Sequence, residues 1–328
     1  MQFIVFDLAL NEITEITPEA PKIVNNLQQP TEEIFYESDD FHQYHEKFCD
    51  GVYKVYNIYH KKLYGVYYFG LKENTLRMPY SAPFSIFYLR ESQLFIIDNI
   101  IKGLKSIATK LKVNSIQITL SPDFYFDRLS EFHIMLQENN FFVHYSDINH
   151  FLDLQQFRDI QSYFHYVPYS TRRNIQRGEK ANLKFRELPC DEIDKAYEII
   201  ALNRTECGYP LKMSLNHVKD VQHIEKTHMR SFVVEDSTGQ NYAAAITMDV
   251  TDFISQVIYW GDIRKYTQDR PMYKLCVELF LYFKNKGKQI LDIGPSSEFG
   301  KINSGLSEFK RGLGCRSSLK YTYKCTLM

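Results

Sequence analysis

Nine residues of this chain, Arg172-Arg173-Asn174-Ile175-Gln176-Arg177-Gly178-Glu179-Lys180, hold four cations. Adjacent guanidinium groups such as Arg172 and Arg173 suit bidentate recognition of a phosphate, and Asn174 can donate to the same group or cap a turn. The same spacing also fits a solvated helix, with Arg173 and Arg177 one turn apart and Arg172 and Glu179 elsewhere. Upstream, Tyr163, Tyr166 and Tyr169 offer rings that stack on a sugar or base, or pack a linker. Asp292 stands near the end of Ile290-Leu291-Asp292-Ile293-Gly294, where ligands approach open sheets. A carboxylate there orients a neighbouring group or satisfies a turn.

Other chemistries have less support. His42-x-x-His45 with Glu46 has the residue types of a metal site, but no third ligand cluster joins it. A surface helix is the simpler reading, and no metal is expected. The chain has no Gly-x-Ser-x-Gly, Walker A or Gly-x-Gly-x-x-Gly segment, so hydrolase, P-loop and Rossmann readings lose their main argument. Six cysteines lie at 49, 190, 207, 276, 315 and 325, without Cys-x-x-Cys spacing. They read as reduced, mostly buried thiols.

The elements that must position these groups form a repeat. Leu129-Ser130-Glu131-Phe132 recurs as Leu306-Ser307-Glu308-Phe309, 177 positions later. Ahead of each copy stands a strand, Ile116 to Leu120 in one and Ile290 to Gly294 in the other. Ahead of each strand, apolar residues at 3.6 spacing predict a helix, over Leu94 to Leu111 and over Met272 to Lys286. Alternating strands follow each copy, Phe141 to Leu154 and Ser318 to Leu327. Upstream β runs cover Val55–Tyr59, Tyr64–Leu71 and Thr75–Ile86 in the first half. In the second they cover Phe232–Glu235, Tyr242–Val250 and Phe253–Trp260. Each half therefore reads β-β-β-α-β-α-β behind an N-terminal helical portion, with Ser170–Lys180 and Asp191–Cys207 helical in the second. The expected domains are 1–155 and 156–328.

Composition agrees with two ordinary domains: 44% hydrophobic, 24% charged, and 39 Lys+Arg against 40 Asp+Glu, a net charge of −1. That balance argues against a protein built around DNA or another broad nucleic-acid footprint. Charge-free runs stop near a dozen residues, short of the ~20 that span a bilayer. The first residues carry no basic run before Asp7, so a cytoplasmic protein without signal peptide or membrane span is expected.

The element order resembles the GNAT acyltransferase fold, and two copies in tandem resemble the Fem-type aminoacyltransferases with their FemAB-like domain. Tyr169-Ser170-Thr171-Arg172-Arg173-Asn174-Ile175 through Lys180 is similar to that family's Ser-x-x-Arg-x-Asn-Ile-x-x-x-x-Lys segment. Gly305-Leu306-Ser307-Glu308-Phe309-Lys310 through Gly314 is similar to its Gly-Leu-x-x-Phe-Lys-x-x-x-Gly segment, and Lys288 to Gly294 to its Lys-x-x-Asp-x-Gly strand. The implied fold is α/β (α+β): two tandem GNAT-like domains, each a mixed, mostly antiparallel sheet flanked by helices.

The implied activity is N-acyl transfer, an acyl or aminoacyl group passing to an amine on a cell-envelope or sugar-nucleotide precursor. The resemblance puts Lys310 at the reaction centre, against the acyl ester, with Phe309 walling the pocket. A cation there would stabilise the tetrahedral oxyanion, on the order of 3 kcal/mol per donor. Arg172, Arg173, Asn174, Tyr169 and Asp292 complete the candidate substrate contacts. The donor stays open between aminoacyl-tRNA and acyl-CoA, and no tightly bound cofactor is expected. A CoA-binding GNAT domain carries a glycine-rich pyrophosphate loop, whereas the matching Tyr266-Thr267-Gln268-Asp269-Arg270-Pro271-Met272-Tyr273 has no glycine. Tyr88-Leu89-Arg90-Glu91-Ser92, its counterpart in the first half, has none either. Two alternatives stand beside this reading: a CoA-dependent N-acetyltransferase using the second half only, and a non-catalytic GNAT-like binding module.

Overall fold

The computed structural model describes residues 1–22, 34–89, 94–224 and 228–327. Arg90-Glu91-Ser92 lie outside the described residues. The chain begins with strands β1 (Gln2–Asp7) and β2 (Glu12–Thr17), helix α1 (Asp39–His45), and strands β3 (Gly51–Tyr59), β4 (Lys62–Lys72), β5 (Thr75–Met78) and β6 (Tyr88–Leu89). Helix α2 (Leu94–Lys110), β7 (Ser115–Thr119), α3 (Leu129–Glu138) and β8 (Phe142–Asp153) follow. Then come α4 (Ile160–Tyr166), α5 (Tyr169–Lys180), β9 (Lys184–Leu188), α6 (Ile193–Cys207), α7 (Leu215–Gln222), β10 (Met229–Glu235), β11 (Asn241–Asp249) and β12 (Ile254–Asp262). The chain ends with α8 (Pro271–Asn285), β13 (Ile290–Pro295), the short hairpin β14 (Ser297–Glu298) and β15 (Lys301–Ile302), α9 (Ser304–Gly312) and β16 (Arg316–Thr326).

The first compact unit comprises Met1–Asp147 and Leu319–Met328. Its strands lie in the order β2-β1-β3-β4-β5-β7-β16. Only β1/β3 and β5/β7 are parallel. Helix α2 forms because Ile97, Ile100, Ile101, Leu104 and Ile107 recur at helical spacing, and all five are fully buried. Each such side chain contributes about 1.5–3 kcal/mol by leaving water. Phe132 and Leu136 of α3 join the same core.

The second unit, Ile148–Ser318, orders its strands β8-β13-β12-β11-β10-β9. Only β12/β13 are parallel among its adjacent pairs. Leu275, Leu279, Phe280 and Phe283 of α8 pack on Ala243, Ala245 and Trp260. The alternate residues face the other way, where Asn203 of α6 lies against Gly261. The strand pairing within each unit is thus mixed and mostly antiparallel with flanking helices, and the order β-β-β-α-β-α-β occurs in each half. The two Leu-Ser-Glu-Phe copies lie in α3 and α9, each in the helix after the strand that enters a parallel pair.

Four local expectations are corrected. The helical portion expected ahead of the first half is present as α1, but two strands precede it, because Ile4, Val5 and Phe6 are buried between β2 and β3. The strand expected over Thr75–Ile86 stops at Met78, since Pro79 can donate nothing to a ladder. Helix α1 is not a surface helix: His42 and His45 are 4% and 3% exposed. The final strands are exchanged. Residues 149–153 of β8 pair β13 of the second unit, and residues 322–326 of β16 pair β7 of the first. The unit border accordingly falls at Asp147/Ile148, a few residues before the expected 155/156, and the last ten residues join the first unit. Among the described residues no helix is long and apolar enough to cross a membrane.

Candidate active site in the second unit

The parallel strands β12 and β13 pair only over Ile254–Gln256 and Ile290–Asp292. Beyond that point β12 stays with β11 and β13 with β8. Each strand carries an irregularity beside the parting. The β11/β12 register shifts after Ile246, and the β13/β8 register shifts between Asp292 and Gly294. Gly294 has φ +76°, a left-handed conformation that a side chain would strain. Such bulges bend strands and re-aim their groups. Here they open a gap in the sheet.

Lys310 fills the β13 side of that gap. Its Nζ donates to the carbonyls of Ile293 (3.0 Å), Gly294 (2.9 Å) and Pro295 (2.9 Å), and the residue is 2% exposed. Burial lowers its pKa to about 8; the Asp292 carboxylate opposes that shift and the Arg204 guanidinium adds to it. The side chain is therefore a cation near neutrality, held by three backbone dipoles at a strand end.

Asp292, fully buried, fixes the junction. Its Oδ1 accepts from Asn149 Nδ2 (2.7 Å) and the Gly294 N–H (2.8 Å), and its Oδ2 from Gln256 Nε2 (2.6 Å). One carboxylate thus ties together β8, β12 and β13. His150 of β8 sits beside it, with Nδ1 3.1 Å from Ser296 Oγ and Nε2 3.4 Å from Ser307 Oγ. Burial, then the charges of Lys310 and Arg311, lower the His150 pKa to about 4, so the ring is neutral at pH 7. Sequence reasoning missed His150; its only signal was a polar Asn149-His150 pair within an otherwise alternating strand.

Helix α9 positions Phe309 and Lys310 in opposite senses. Asn303 caps its start by accepting from the Leu306 N–H (3.0 Å). At its end Thr171 Oγ1 donates to the Gly312 carbonyl (3.0 Å) and Tyr163 Oη to the Leu313 carbonyl (3.0 Å), which satisfies groups the helix leaves orphaned. The half-buried Phe309 ring meets Tyr273 (5.5 Å) and Trp260 (6.4 Å) edge-on.

The remaining expected site residues lie on α5, whose Thr171, Ile175 and Gly178 are buried. Asn174 and Arg172 are half-buried, and Arg172 Nε is buried without a hydrogen-bond partner. Arg173 is exposed, and Tyr169 is 71% exposed. Lys310 and Asp292 are therefore brought together, while Phe309 of α9 packs instead on Tyr273 and Trp260. Arg172 and Asn174 sit on the helix abutting the end of α9, and Arg173 and Tyr169 face solvent. Arg204 of α6, unnoticed in the sequence, lies half-buried over the Tyr259 ring at 6.0 Å, with its Nε buried and unpartnered. Among the described residues no group of three or more His, Cys, Asp or Glu side chains could hold a metal ion.

No protein-family model matches the chain, and no curated protein matches its sequence. Solved structures do match its fold. The chain is similar to FemX, at 12% sequence identity and TM-score 0.68, over 90% of this chain and 93% of that one. It is also similar to the C-terminal domain of a putative lysylphosphatidylglycerol synthetase from Agrobacterium fabrum, at 12% identity and TM-score 0.54, over 79% and 80% of the two chains. L-PGS from Bacillus licheniformis is a third, at 13% identity and TM-score 0.52, again over 79% and 80%. The likeness read from the repeated element order thus holds for the fold: the chain has a FemAB-like fold made of two tandem GNAT-type halves.

Proposed function

We propose that the protein transfers an acyl or aminoacyl group to an amine, with Lys310 of the second unit at the reaction centre. The observation that carries this reading is a buried ammonium at the gap between two parting strands, with a pKa lowered to about 8. Attack of a neutral amine on an ester or thioester puts negative charge on the carbonyl oxygen. Lys310 meets that charge by giving up one of its three backbone acceptors for the oxyanion, an exchange that costs little because one hydrogen bond replaces another. Collapse of the intermediate forms the amide, expels the donor's oxygen or sulfur, and releases the amine's proton to a substrate carboxylate or to water. Phe309, with Trp260 and Tyr273, supplies an apolar wall, and Arg172 and Asn174 supply polar groups toward the acceptor.

Aminoacyl-tRNA is the preferred donor and a cell-envelope or sugar-nucleotide precursor the preferred acceptor. At the start of α8, Arg270 is left-handed, Pro271 has no N–H, and Gly178 of α5 lies against the Arg270 carbonyl. Such a terminus is poorly equipped to hold a pyrophosphate through backbone donors. FemX and the two synthetases named above share the fold, which favours aminoacyl transfer over acetyl transfer. No resident cofactor is invoked. A thermal-shift panel of acetyl-CoA, longer acyl-CoAs, UDP-sugars and peptidoglycan precursors tests the reading, because a ligand of the native state raises the melting temperature. Stabilisation by an envelope precursor is the expected result. Stabilisation by acyl-CoA alone would turn the protein into a CoA-dependent enzyme, and silence throughout would leave a binding module of another kind.

A further inference from the structure

Lys310 is 2% exposed, so any substrate that meets it needs an entrance. The loop of residues 208–214, between α6 and α7, lies across the parted strands. On the β12 side, the Met213 N–H donates to Tyr259 Oη (3.3 Å), and Tyr197 Oη donates to the Met213 carbonyl (2.9 Å). On the β13 side, Lys212 pairs with Glu298 of the β14–β15 hairpin (2.6 Å), and Asn303 Nδ2 donates to Tyr209 Oη (2.8 Å). Tyr259 belongs to the part of β12 that has left β13, while Glu298 and Asn303 follow the end of β13. The loop therefore bridges the gap where it opens.

Its two anchorages differ in strength. Tyr197 and Tyr259 are partly buried, so the Met213 end is fixed. The other end is held by exposed groups: Lys212 and Glu298 are 74% and 60% exposed, and Tyr209 is 49% exposed. Exposed ion pairs are worth about 0–1 kcal/mol. At the α6 end the chain turns through Gly208, with φ +74° and open space around its Cα. The hairpin also carries exposed Phe299 at its tip and exposed Ile302 at its base, at 65% and 53%. The loop is thus hinged at Gly208, pinned at Met213 and lightly latched at Tyr209 and Lys212.

We infer that residues 208–214 are a gate over the strand gap, whose latch at Tyr209–Asn303 and Lys212–Glu298 must release for a substrate to reach Lys310. This rests on Lys310 being the reaction centre. The latch touches that centre indirectly, because Asn303 also caps the helix that carries Lys310.

The test reads access to Lys310 rather than turnover. The full-length protein is treated at pH 8 with an amine-acylating reagent, and labelling of Lys310 is followed by peptide mass spectrometry, with exposed Lys180 as internal reference. In the wild type Lys310 is expected to label at least tenfold more slowly than Lys180. In a Tyr209→Ala, Glu298→Lys double variant, which removes one latch and makes the other repulsive, Lys310 labelling is expected to rise at least tenfold. Lys180 labelling and the urea midpoint should be unchanged. A urea midpoint that falls in parallel would assign the access to global unfolding and overturn the gate. So would Lys310 labelling equal to Lys180 in the wild type, or unchanged in the variant. If Lys310 is gated as described yet Lys310→Ala leaves acyl transfer intact, the gate stands and the catalytic reading fails.

Discussion

The two units share the order β-β-β-α-β-α-β, and the difference that bears on the candidate site lies at the far end of their parallel strand pair. In the first unit β5 pairs β7 along its whole length, and after a turn the chain returns so that Ser85 bridges Leu120 in the same parallel sense. The Ser85 N–H donates to the Thr119 carbonyl (2.9 Å), and the Leu120 N–H donates to the Tyr321 carbonyl (3.0 Å). Phe84, Ile86 and Phe87 fill the space beside it. In the second unit β12 and β13 part after three pairs, and the β13 carbonyls go to Lys310. The helices repeat the contrast: Lys310 follows Leu306-Ser307-Glu308-Phe309, whereas His133 follows Leu129-Ser130-Glu131-Phe132. Phe132 is fully buried and stacked on Phe87, and His133 reaches Tyr323 Oη (2.9 Å). One half closes its strand gap with backbone and apolar side chains. The other leaves it open and lines it with a cation.

The largest expected effect is on turnover. Lys310→Ala should lower acyl transfer by about 10²-fold or more. Lys310→Arg should rescue it only in part, because a planar fork cannot place a compact charge among three carbonyls. Arg172→Ala should instead raise KM for the acceptor with little change in kcat, since a binding contact acts on ground and transition states alike.

Stability comes next. Asp292→Ala leaves Asn149, Gln256 and the Gly294 N–H without their shared acceptor, so urea unfolding should show a loss of about 3 kcal/mol. By contrast Ser115→Ala, at the start of β7 in the first unit, removes the 2.9 Å contact to Thr75 and should cost about 1 kcal/mol.

Acid should weaken both units through their buried histidines. Burial holds the His42 pKa well below 6.5 in the first unit and lowers that of His150 to about 4 in the second. In both cases the unfolded chain binds the proton more readily. The histidines' contribution to stability is therefore complete above about pH 6.5 and falls as pH drops toward 4. His150→Asn should flatten this fall in a pH series of melting temperatures, and an unaltered slope would count against a neutral His150. The smallest effects belong to His133→Lys, Arg173→Ala and Tyr169→Ala. Restoring a lysine after the first Leu-Ser-Glu-Phe copy should create no second activity, because the Thr119 carbonyl already has its donor. The two exposed substitutions should stay within about 0.5 kcal/mol in stability.

Much of this contrast was legible in the chain. The apolar spacing of α2 and α8 and the strand before each Leu-Ser-Glu-Phe copy could be read from local pattern, whereas Lys310 entered as a candidate through the family resemblance. What could not be read was pairing. Alternation in β8 and β16 marks each as a strand, but nothing in a strand's own alternation names its neighbour, so their exchange between units stayed hidden. His150 was missed for the same reason, since it acquires Ser296 and Ser307 only once β8 lies beside β13. Helix α1 misled in another way. Two histidines among polar and charged neighbours look like a surface, yet the rings of Phe41, Tyr68 and Tyr80 lie against His42, and those of Phe41, Tyr44 and Phe48 against His45.

The most direct measurement is amide formation, followed by mass spectrometry, from aminoacyl-tRNA and from acyl-CoA donors to a panel of amine-bearing envelope precursors and amino sugars. Wild type and Lys310→Ala should be run in parallel between pH 6 and 10. The expected result is a product from the wild type with a bell-shaped pH profile, and a rate at least 10²-fold lower in the variant. The profile should rise as the acceptor amine loses its proton and fall on the alkaline side as Lys310, with its pKa lowered to about 8, loses its charge. Equal rates in the two proteins, or a wild-type profile that keeps rising to pH 10 with no alkaline fall, would contradict a catalytic Lys310.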